Sequence, residues 1–586
     1  MKQHAKVARV PNSDDDYEHH QEIDKENNSP GTKAREFCDA STQYDLRDLA
    51  ETKEHSYCVR ESSPIPEDMH SSQLQPPQIA PWLVTPVTDS CQSTESDEEA
   101  HSPNTDSETE KYCVFDTSCT SQDSDIEMGG QEDQKFIVFR NSLSELFRFC
   151  PTCGSSVVSQ SESTSGTMLV VKMECSKGHN VNWQSQPLVA GLPAGNLITA
   201  AGILLSGGTF RKFSHFAQII KLQFISESSF YRLQDEYLCP VVNETWKSHQ
   251  ESILENFKDN PLHLLGDGRC DSPGYSAKYC TYTLVEQDTG LIVDFQLVQV
   301  SEVSNSVGME KEGFLRSVNE LVTKGLTVAQ IATDRHLQIT SVMKKQFPDI
   351  DHQYDVWHVS KSVIKKLTQL GKAKGCSNLL PWIRSVANHL WWSSKSCNRQ
   401  AENLREKWIS IIYHTINVHS WENATSFGKC EHNELSLEES QRKQWLKKCS
   451  PAHDALKSVV LNKKLLKDLD KLTDFSHTGN LEVYHALLTK YCPKRQHFSY
   501  KGMLARTQLA ALDHNHNTGR RQATTSSGEV RYKVVFPKPT KIWVAKPITE
   551  SKSYGYLQGI LKAVLNKRQL NPQPLRKHKT TQGNCC

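Results

Sequence analysis

The order of strand-like and helix-like segments between residues 262 and 366 limits the fold more than any other feature of this sequence. Apolar runs bounded by turn residues alternate there with helical patterns. In chain order, the predicted elements are strands at 262–267, 279–285 and 291–300, a helix at 309–324, a strand at 327–333, a helix ending at 347, a strand at 353–358 and a basic helix at 360–366. The early strands, joined by turns such as 288–290, favour antiparallel pairing, whereas strands separated by helices favour parallel pairing. The sequence therefore predicts an α/β domain on a mixed sheet.

Acidic residues stand at the ends of two of these predicted strands. Asp267 ends the first strand and Asp334 follows the fourth. The element order is that of the RNase H fold, in which the first and fourth strands are neighbours, so we expect the two carboxylates to lie side by side. Carboxylates are the ligands that Mg²⁺ and Mn²⁺ require, and two such ions roughly 3.5–4 Å apart can promote transfer of a phosphodiester. Strand-end aspartates are also often merely solvated, so this pair alone leaves the function open.

Four separate blocks of the sequence share one family resemblance. They are 264–280 with Asp267, 332–336 with Asp334, 355–358, and 478–485 with Glu482, the last continued by 490–495 and 502–514. In order and spacing they resemble the catalytic blocks of Kolobok-type eukaryotic DNA transposases, over residues 135–560. The resemblance implies a DDE-type, RNase H-like core at 256–372 and 476–530, in which Asp267, Asp334 and Glu482 hold Mg²⁺ or Mn²⁺. It also implies cleavage and strand transfer of double-stranded DNA at transposon ends, by a homo-oligomer in the nucleus.

The resemblance further suggests roles for single residues. Glu482 is expected near the start of a helix that Asn480 could cap. Asp271 competes with Asp267 for the first position of the triad, although it lies beyond the apolar run. His358, in an Asp-x-x-His pattern, either orients a carboxylate or the scissile phosphate, or is a buried histidine that supports the sheet edge.

Residues 373–475 are helical in character and interrupt the predicted core. They resemble the all-helical insertion of related transposases and contain six tryptophans, which are more often core than base-stacking, among them Trp382, Trp391, Trp392, Trp408 and Trp445. A second zinc site is predicted within them, with the ligands Cys430, His432, Cys449 and His453. Beyond the third acid, five basic residues are candidates for phosphate contacts or for an exposed helix face: Lys494, Arg495, Arg506, Arg520 and Arg521.

Two pairs of soft metal ligands flank a strand-like run at 168–173. Cys150 and Cys153 precede it, and Cys175 and His179 follow it. Two knuckles joined by a hairpin supply four ligands for tetrahedral Zn²⁺, so residues 135–190 are predicted to form a structural zinc ribbon. A short strand at 136–139 and a helical segment at 144–148 are expected before it.

Residues 191–255 have the pattern of a helix pair. Helices are expected at 213–221 and 227–238, the second capped by Ser226 or Ser228. A tight turn between them fits a helix-turn-helix in which Ser229, Arg232 and Gln234 face a DNA groove, but it fits an ordinary packed helix pair as well. The apolar stretch 188–208 is interpreted as a buried helix pair rather than a membrane span.

The zero net charge of the chain conceals an uneven distribution. Residues 1–134 contain about 30 acidic and about 10 basic side chains, few aromatic residues and no sustained period, so we expect them to be disordered. The remainder carries a net charge near +20, which suits a polyanionic partner such as DNA. Residues 531–586 are expected to form a basic tail. No membrane partner and no export signal are expected, so the 18 cysteines are interpreted as reduced.

One departure from the family pattern keeps a second function open. Kolobok-type elements often begin with a THAP zinc finger, whose paired cysteines are not found in residues 1–134. The alternatives to a transposase are therefore a domesticated, transposase-derived nuclear DNA-binding protein without catalysis, and an RNase H-like nuclease without strand transfer.

Overall fold

A computed structural model of the protein describes residues 134–422, 424–537 and 542–572. The acidic region predicted to be disordered lies outside the described residues except for its last position, and so do residues 573–586 of the predicted tail.

The first described module is a small antiparallel sheet in the order β1-β2-β3. Its elements are α1 (Arg140–Ser144), β1 (Val157–Ser165), β2 (Met168–Cys175) and β3 (Asn180–Gln184). Its core is small, and the buried members of its apolar cluster are Phe147, Val171 and Met173. The predicted strand at 136–139 is wrong: these apolar residues are exposed and have no strand partner. The predicted helical segment at 144–148 is a 3₁₀ turn, Glu145–Phe147, that follows α1.

A helical layer follows the first module. It comprises a two-stranded ribbon and four helices: β4 (Leu188–Val189), β5 (Leu192–Pro193), α2 (Ala194–Leu205), α3 (Phe210–Ile219), α4 (Glu227–Leu233) and α5 (Cys239–Glu255). A π-helical turn, Gln234–Leu238, joins α4 directly to α5. Ser226 caps α4, as predicted, by accepting the Ser229 amide. In the described part of the chain, none of the helices combines the length and the apolar character that a membrane crossing requires.

The central sheet has five strands in the order β10-β9-β6-β7-β8. Its strands and the helices between them are β6 (Leu262–Cys270), β7 (Tyr279–Glu286), β8 (Ile292–Gln299), α6 (Gly308–Thr323), β9 (Val328–Thr333), α7 (Leu337–Gln346) and β10 (Asp351–Tyr354). β6, β9 and β10 are parallel, whereas β7 is antiparallel to both neighbours. The predicted mixed α/β domain and the predicted pairing of the first and fourth strands are confirmed.

The two faces of this sheet are covered by different helices. Leu264 and Tyr282 face α6 and its residue Phe314. The neighbouring Leu265 faces the opposite layer, where it shares a core with Leu509 and other residues of the late helices. This alternation follows from the period-2 geometry of a strand that is buried on both sides.

Two predicted boundaries differ from the structure. β6 continues to Cys270, so Asp267 lies within the strand and not at its end. The predicted strand at 353–358 is replaced by β10, which ends at Tyr354, and by a helix that begins at Val356. The helix begins there because the Asp355 carboxylate accepts the backbone N–H of Trp357 and caps it.

The region inserted between the sheet and the late helices is helical, with a core of its own. It contains α8 (Val356–Gly371), α9 (Ile383–Lys395), α10 (Ala401–His414), α11 (Leu437–Arg442), α12 (Pro451–Val460) and α13 (Lys463–Asp468). The five tryptophans named from the sequence are buried or half-buried, so they belong to the core, as predicted.

The chain then returns to the central domain. The last described elements are α14 (Gly479–Tyr491), α15 (Tyr500–Asn517), β11 (Tyr532–Val535), β12 (Val544–Pro547) and α16 (Gly555–Leu570). α16 lies in the segment predicted to be a tail, yet Ile560 and Val564 are buried in the same core as α14 and α15.

Candidate active site and metal centres

Asp267 and Asp334 lie at the same level on neighbouring strands. β6 and β9 are parallel, and Leu265 is paired with Ala332. Each aspartate is two residues beyond its member of that pair, so the two side chains leave the sheet together on one face. One oxygen of Asp267 accepts the Gly268 N–H at 2.8 Å, and one oxygen of Asp334 accepts the His336 N–H at 3.0 Å.

The pKa of Asp267 reflects its closeness to Asp334. Burial raises its pKa to about 7, and the negative charge of Asp334 contributes next, with smaller contributions from Asp355 and Glu482. The Gly268 N–H opposes the shift. Nδ1 of His485 lies 3.5 Å from the second Asp267 oxygen, but burial lowers the pKa of His485 to about 3, so this imidazole is neutral and brings no cation to the site. Among the residues that the structure describes, the aspartate pair is therefore a concentration of negative charge without a compensating positive group at Asp267.

Glu310 is a further acid beside this pair, and no sequence pattern predicts it. It lies in the first turn of α6, and burial together with the charges of Asp334 and Asp267 raises its pKa to about 8. Its Cγ would lie 2.6 Å from a Cβ built on Gly268, so only glycine at 268 leaves room for the glutamate stem. Nothing in the local sequence separates Glu310 from the nearby Glu312; the sheet topology alone identifies it.

Glu482 approaches from the opposite layer, in the first turn of α14. Burial raises its pKa, as does the negative charge of Asp355, whereas His358 and Lys361 lower it. Glu482 is half-buried, as are Asp267, Asp334 and Glu310. Glu482, the third predicted acid, therefore lies near the aspartate pair, and its charge also interacts with those of Asp355 and His358.

Asp355 joins two helix starts at this border. Besides the Trp357 amide it accepts the hydroxyl of Thr478, in a very short hydrogen bond, and the Thr478 N–H at 3.3 Å. Thr478 is the N-cap position of α14, so the predicted cap at Asn480 is wrong. The side chain of His358 is 37% exposed and its Nε2 lies 3.9 Å from Asp355, which excludes the buried-histidine alternative.

The acids form an extended group. Within the described ranges, the sets of three or more possible ligand atoms that all lie within 4.8 Å of one another are two Cys/His groups, and no acid belongs to either. Asp271, the competitor for the first position, does not join the pair: its buried carboxylate accepts the Lys278 N–H at 3.0 Å and closes the loop that leads to β7.

The four ligands predicted for the zinc ribbon do come together. Cys150, Cys153, Cys175 and His179 bring one ligand atom each within 4.8 Å of the others. Sγ of Cys153 lies 3.7 Å from Sγ of Cys175, which lies 3.6 Å from Nδ1 of His179. Hydrogen bonds from Ser155 lower the pKa of Cys153 to about 6, which favours the thiolate that metals bind. This group can hold a metal ion.

The second predicted zinc site has different members. Cys430 and His432 cluster with His414 and His419, not with Cys449 and His453. Nε2 of His453 bonds the Ile412 carbonyl at 3.2 Å, and its Nδ1 accepts the Cys449 N–H at 3.4 Å. Both ring nitrogens of His453 are thus engaged by the backbone, so the predicted ligands Cys449 and His453 are wrong.

Two predicted DNA contacts are also corrected. Gln234 is 3% exposed and cannot face a groove, whereas Ser229 and Arg232 are half-buried. Arg506 is buried and donates to the carbonyls of Gly207, Gly208 and Tyr491. Of the other basic candidates, Arg520 is half-buried, and three are exposed: Lys494, Arg495 and Arg521.

Comparisons with known proteins add one structure. No protein-family model matches the chain, and no curated protein matches it. Among solved structures, it is similar to a chain of the Drosophila P element transposase strand transfer complex, with 14% sequence identity and a TM-score of 0.25. The match covers 56% of this chain and 93% of that chain. A TM-score this low carries no argument, so function must be inferred from the chain's own residues.

Proposed function

We propose that the protein is a DDE-type, metal-dependent DNA strand transferase with an RNase H-like core, that is, a transposase of the Kolobok type. The observation that supports this most directly is the register of β6 and β9, which puts Asp267 and Asp334 together, flanked by acids from α6 and α14.

The charge of the acid group supports bound cations. Burial raises the pKa values of Asp267 and Glu310, and the like charges of the neighbouring acids raise them further. Divalent cations would restore the ionised forms, and oxygen-only ligands fit Mg²⁺ or Mn²⁺. When bound, a pair of such ions activates the attacking oxygen and stabilises the leaving oxygen of a phosphodiester.

The extended arrangement of the acids fits two ions better than one. Ions roughly 3.5–4 Å apart need carboxylates on both sides of the pair, so their oxygens need not all lie within one coordination sphere. In this proposal Asp267 and Asp334 hold the ions from the sheet, and Glu310 and Glu482 from the helices on either side. Asp355 is a positioning residue, since it touches the start of the Glu482 helix. The partly exposed side chain of His358 lies 3.9 Å from Asp355, and in this proposal its exposed face is open to a DNA phosphate.

Double-stranded DNA is the proposed substrate, and the nucleus the proposed location. The chain beyond residue 134 carries a net charge near +20, and exposed Lys494, Arg495 and Arg521 follow the third acid. Zn²⁺ in the ribbon would be structural, because four protein ligands fill its coordination sphere. The domain boundaries at 190, 255, 372, 475 and 530 belong to the same proposal.

Cleavage and joining are tested with the full-length chain and Mn²⁺. Supercoiled plasmid reports strand nicking, and a labelled duplex with a free 3′-hydroxyl, mixed with that plasmid, reports strand transfer. Asp334→Asn should abolish both activities and leave DNA binding intact, because the substitution removes one charge from the metal group. Asp349→Asn, an exposed acid of the same region, serves as the matched control and should remain active.

The outcomes separate the three functions. Labelled products joined to plasmid support a transposase. Nicking without joining would indicate a simple nuclease. Wild-type cleavage no greater than that of Asp334→Asn, with DNA binding retained, would overturn the catalytic proposal and leave a domesticated DNA-binding protein.

A further inference from the structure

We propose that His414, His419, Cys430 and His432 bind a structural Zn²⁺ ion in the helical insertion. This site is independent of the proposed catalysis and of the ribbon. Its four ligand atoms, three nitrogens and one sulfur, lie within 4.8 Å of one another.

The fold brings these residues together from separate positions. His414 is the last residue of α10. After it the chain forms a hairpin in which Ser420 bridges Lys429 and the Cys430 N–H donates to the His419 carbonyl at 2.9 Å. His419 and Cys430 therefore stand opposite each other at the open end of the hairpin, next to the end of α10.

The hydrogen bonds of two imidazoles fix which nitrogen carries hydrogen. Nδ1 of His432 lies 2.6 Å from the Asn433 carbonyl, and Nε2 of His419 lies 3.0 Å from Oδ1 of Asn417. Both of these oxygens only accept, so both nitrogens must donate. In neutral rings, Nε2 of His432 and Nδ1 of His419 are then lone pairs.

Those two lone-pair nitrogens face each other at 3.1 Å. Between two neutral imidazoles with these tautomers no hydrogen is left for the contact, and a bound cation would satisfy both lone pairs. The outer hydrogen bonds to Asn433 and Asn417 are the second-shell contacts that orient metal-ligating histidines in proteins. The geometry therefore matches a metal site with its supporting partners in place.

The spacing and the donor set favour zinc. Tetrahedral Zn²⁺ with bond lengths near 2.0–2.3 Å separates its ligands by about 3.3–3.6 Å. The 3.1 Å contact between His432 and His419, and the 3.5 Å contact between Cys430 Sγ and His414 Nδ1, are close to these separations. Imidazole and thiolate ligands suit Zn²⁺, and four protein ligands leave no open position, so the role is structural.

The rings of two tryptophans, Trp382 and Trp445, lie beside the site and limit solvent access to it. The Trp445 ring lies 5.8 Å from the rings of both His414 and His419, and the Trp382 ring lies 6.1 Å from His414. Zinc at this position would hold the hairpin against the insertion's tryptophan core.

Zinc content per chain, measured by plasma mass spectrometry on the full-length protein, tests the site. The double variant Cys430→Ser, His432→Ala should lose one equivalent relative to wild type. Cys449→Ser removes an exposed cysteine nearby and should lose none. Unchanged zinc in the double variant, or an equal loss in Cys449→Ser, would overturn the assignment.

A second measurement keeps the proposal testable if the double variant fails to fold. The full-length chain with Cys150→Ser and Cys153→Ser lacks the ribbon ligands, and it is loaded with Co²⁺. Co²⁺ bound to the one thiolate and three imidazoles of this site should show the visible d–d bands of tetrahedral cobalt. Its sulfur charge-transfer band should be weaker than that of a site with three cysteines. Absence of the d–d bands would overturn the proposal, whatever the result of the DNA assays.

Discussion

Glu310 and Gly268 illustrate how a single side chain completes the acid group. The glutamate stem occupies the space that a Cβ on Gly268 would fill. Burial, together with the charges of Asp334 and Asp267, raises the pKa of this carboxylate to about 8. Under the proposed function, Glu310 is a metal ligand or orients one.

Replacing Glu310 by Gln tests that role. The substitution keeps the shape and removes the charge, so Mn²⁺ affinity and plasmid nicking should each fall about 10- to 100-fold. Mn²⁺ titration followed by calorimetry, together with the nicking assay, measures both. Glu312→Gln, in the same helix but paired with Arg316 at 2.8 Å, is the control, and equal effects of the two variants would contradict the prediction.

Asp294 is a buried acid outside the proposed active site. Gln250 and Gln296 donate to its two oxygens at 2.9 and 3.1 Å, yet burial raises its pKa to about 6. The folded state therefore binds the proton more tightly than the unfolded state does. It follows that the free energy of unfolding falls as the pH rises from about 4 to about 6, and stays lower above that.

Asp294→Asn should remove this penalty. Above pH 7 the variant should be more stable than wild type, by at most about 3 kcal/mol for a shift of about two pKa units, and near pH 4 the two proteins should be alike. Thermal unfolding midpoints of both proteins at the two pH values measure the difference. A gain of the same size at both pH values would show that charge burial is not the cause.

At the scale of elements, Asp355 connects the starts of α8 and α14. One carboxylate caps α8 through Trp357 and bonds the Thr478 N–H and hydroxyl at the start of α14. The orientation of the Glu482 helix therefore depends on a residue that is distant from it in sequence.

Asp355→Ala should loosen this junction. The buried donors of Thr478 would lose their acceptor, at a cost of about 1–3 kcal/mol, and Mn²⁺ affinity should fall because Glu482 moves. Asp355→Asn retains an acceptor oxygen and should recover most of the stability. Hydrogen exchange at the first turn of α14 reports the junction; unchanged protection there in Asp355→Ala would contradict this role.

Sequence patterns predict elements that are set by neighbouring residues, but not contacts between residues that the fold brings together from distant parts of the chain. The strands of the central sheet are apolar runs bounded by turns, so their order and the pairing of β6 with β9 were predictable. Residues 353–358 read as a strand because their polar and apolar residues alternate, but a side-chain cap at Asp355 turns the chain into a helix. Glu310 had no distinguishing local signal.

The second Cys/His group shows the same limit for metal ligands. Cys449 and His453 have a spacing typical of zinc ligands, yet the His453 ring is used by the backbone. His414 and His419 lack a paired-cysteine signature and meet Cys430 only through a hairpin. Ligand spacing predicted the ribbon because both of its pairs lie on tight knuckles that flank one hairpin.

At the scale of the whole molecule, the first module depends on few apolar contacts. Its apolar cluster consists of three buried side chains, and β1 is exposed along nearly its whole length. A module of this size needs a further source of stability, which the Cys/His group would supply through bound metal.

Metal removal should therefore unfold this module while the central sheet stays folded. With a strong chelator, amides of β1–β3 should lose hydrogen-exchange protection while those of β6–β9 keep theirs, because the central sheet has large cores on both faces. Cys153→Ser should reproduce the effect without chelator. Full protection of β1–β3 in the chelated protein would show that metal does not stabilise the module.

The insertion separates Asp355 from Glu482 by more than a hundred residues and has its own core. Two residues of the central domain bond to the end of the insertion: Arg335 donates to Asp468, and Gln330 donates to Asp474. The last residues of the insertion are therefore held next to the sheet from which it starts. Once folded, the insertion holds its two ends close together. It thereby reduces the conformational entropy that closing so long a flexible loop would otherwise cost. Under the proposed function, a chain whose insertion has not folded would hold Asp267 and Asp334 in register but would leave Glu482 unplaced, and its metal site would be incomplete.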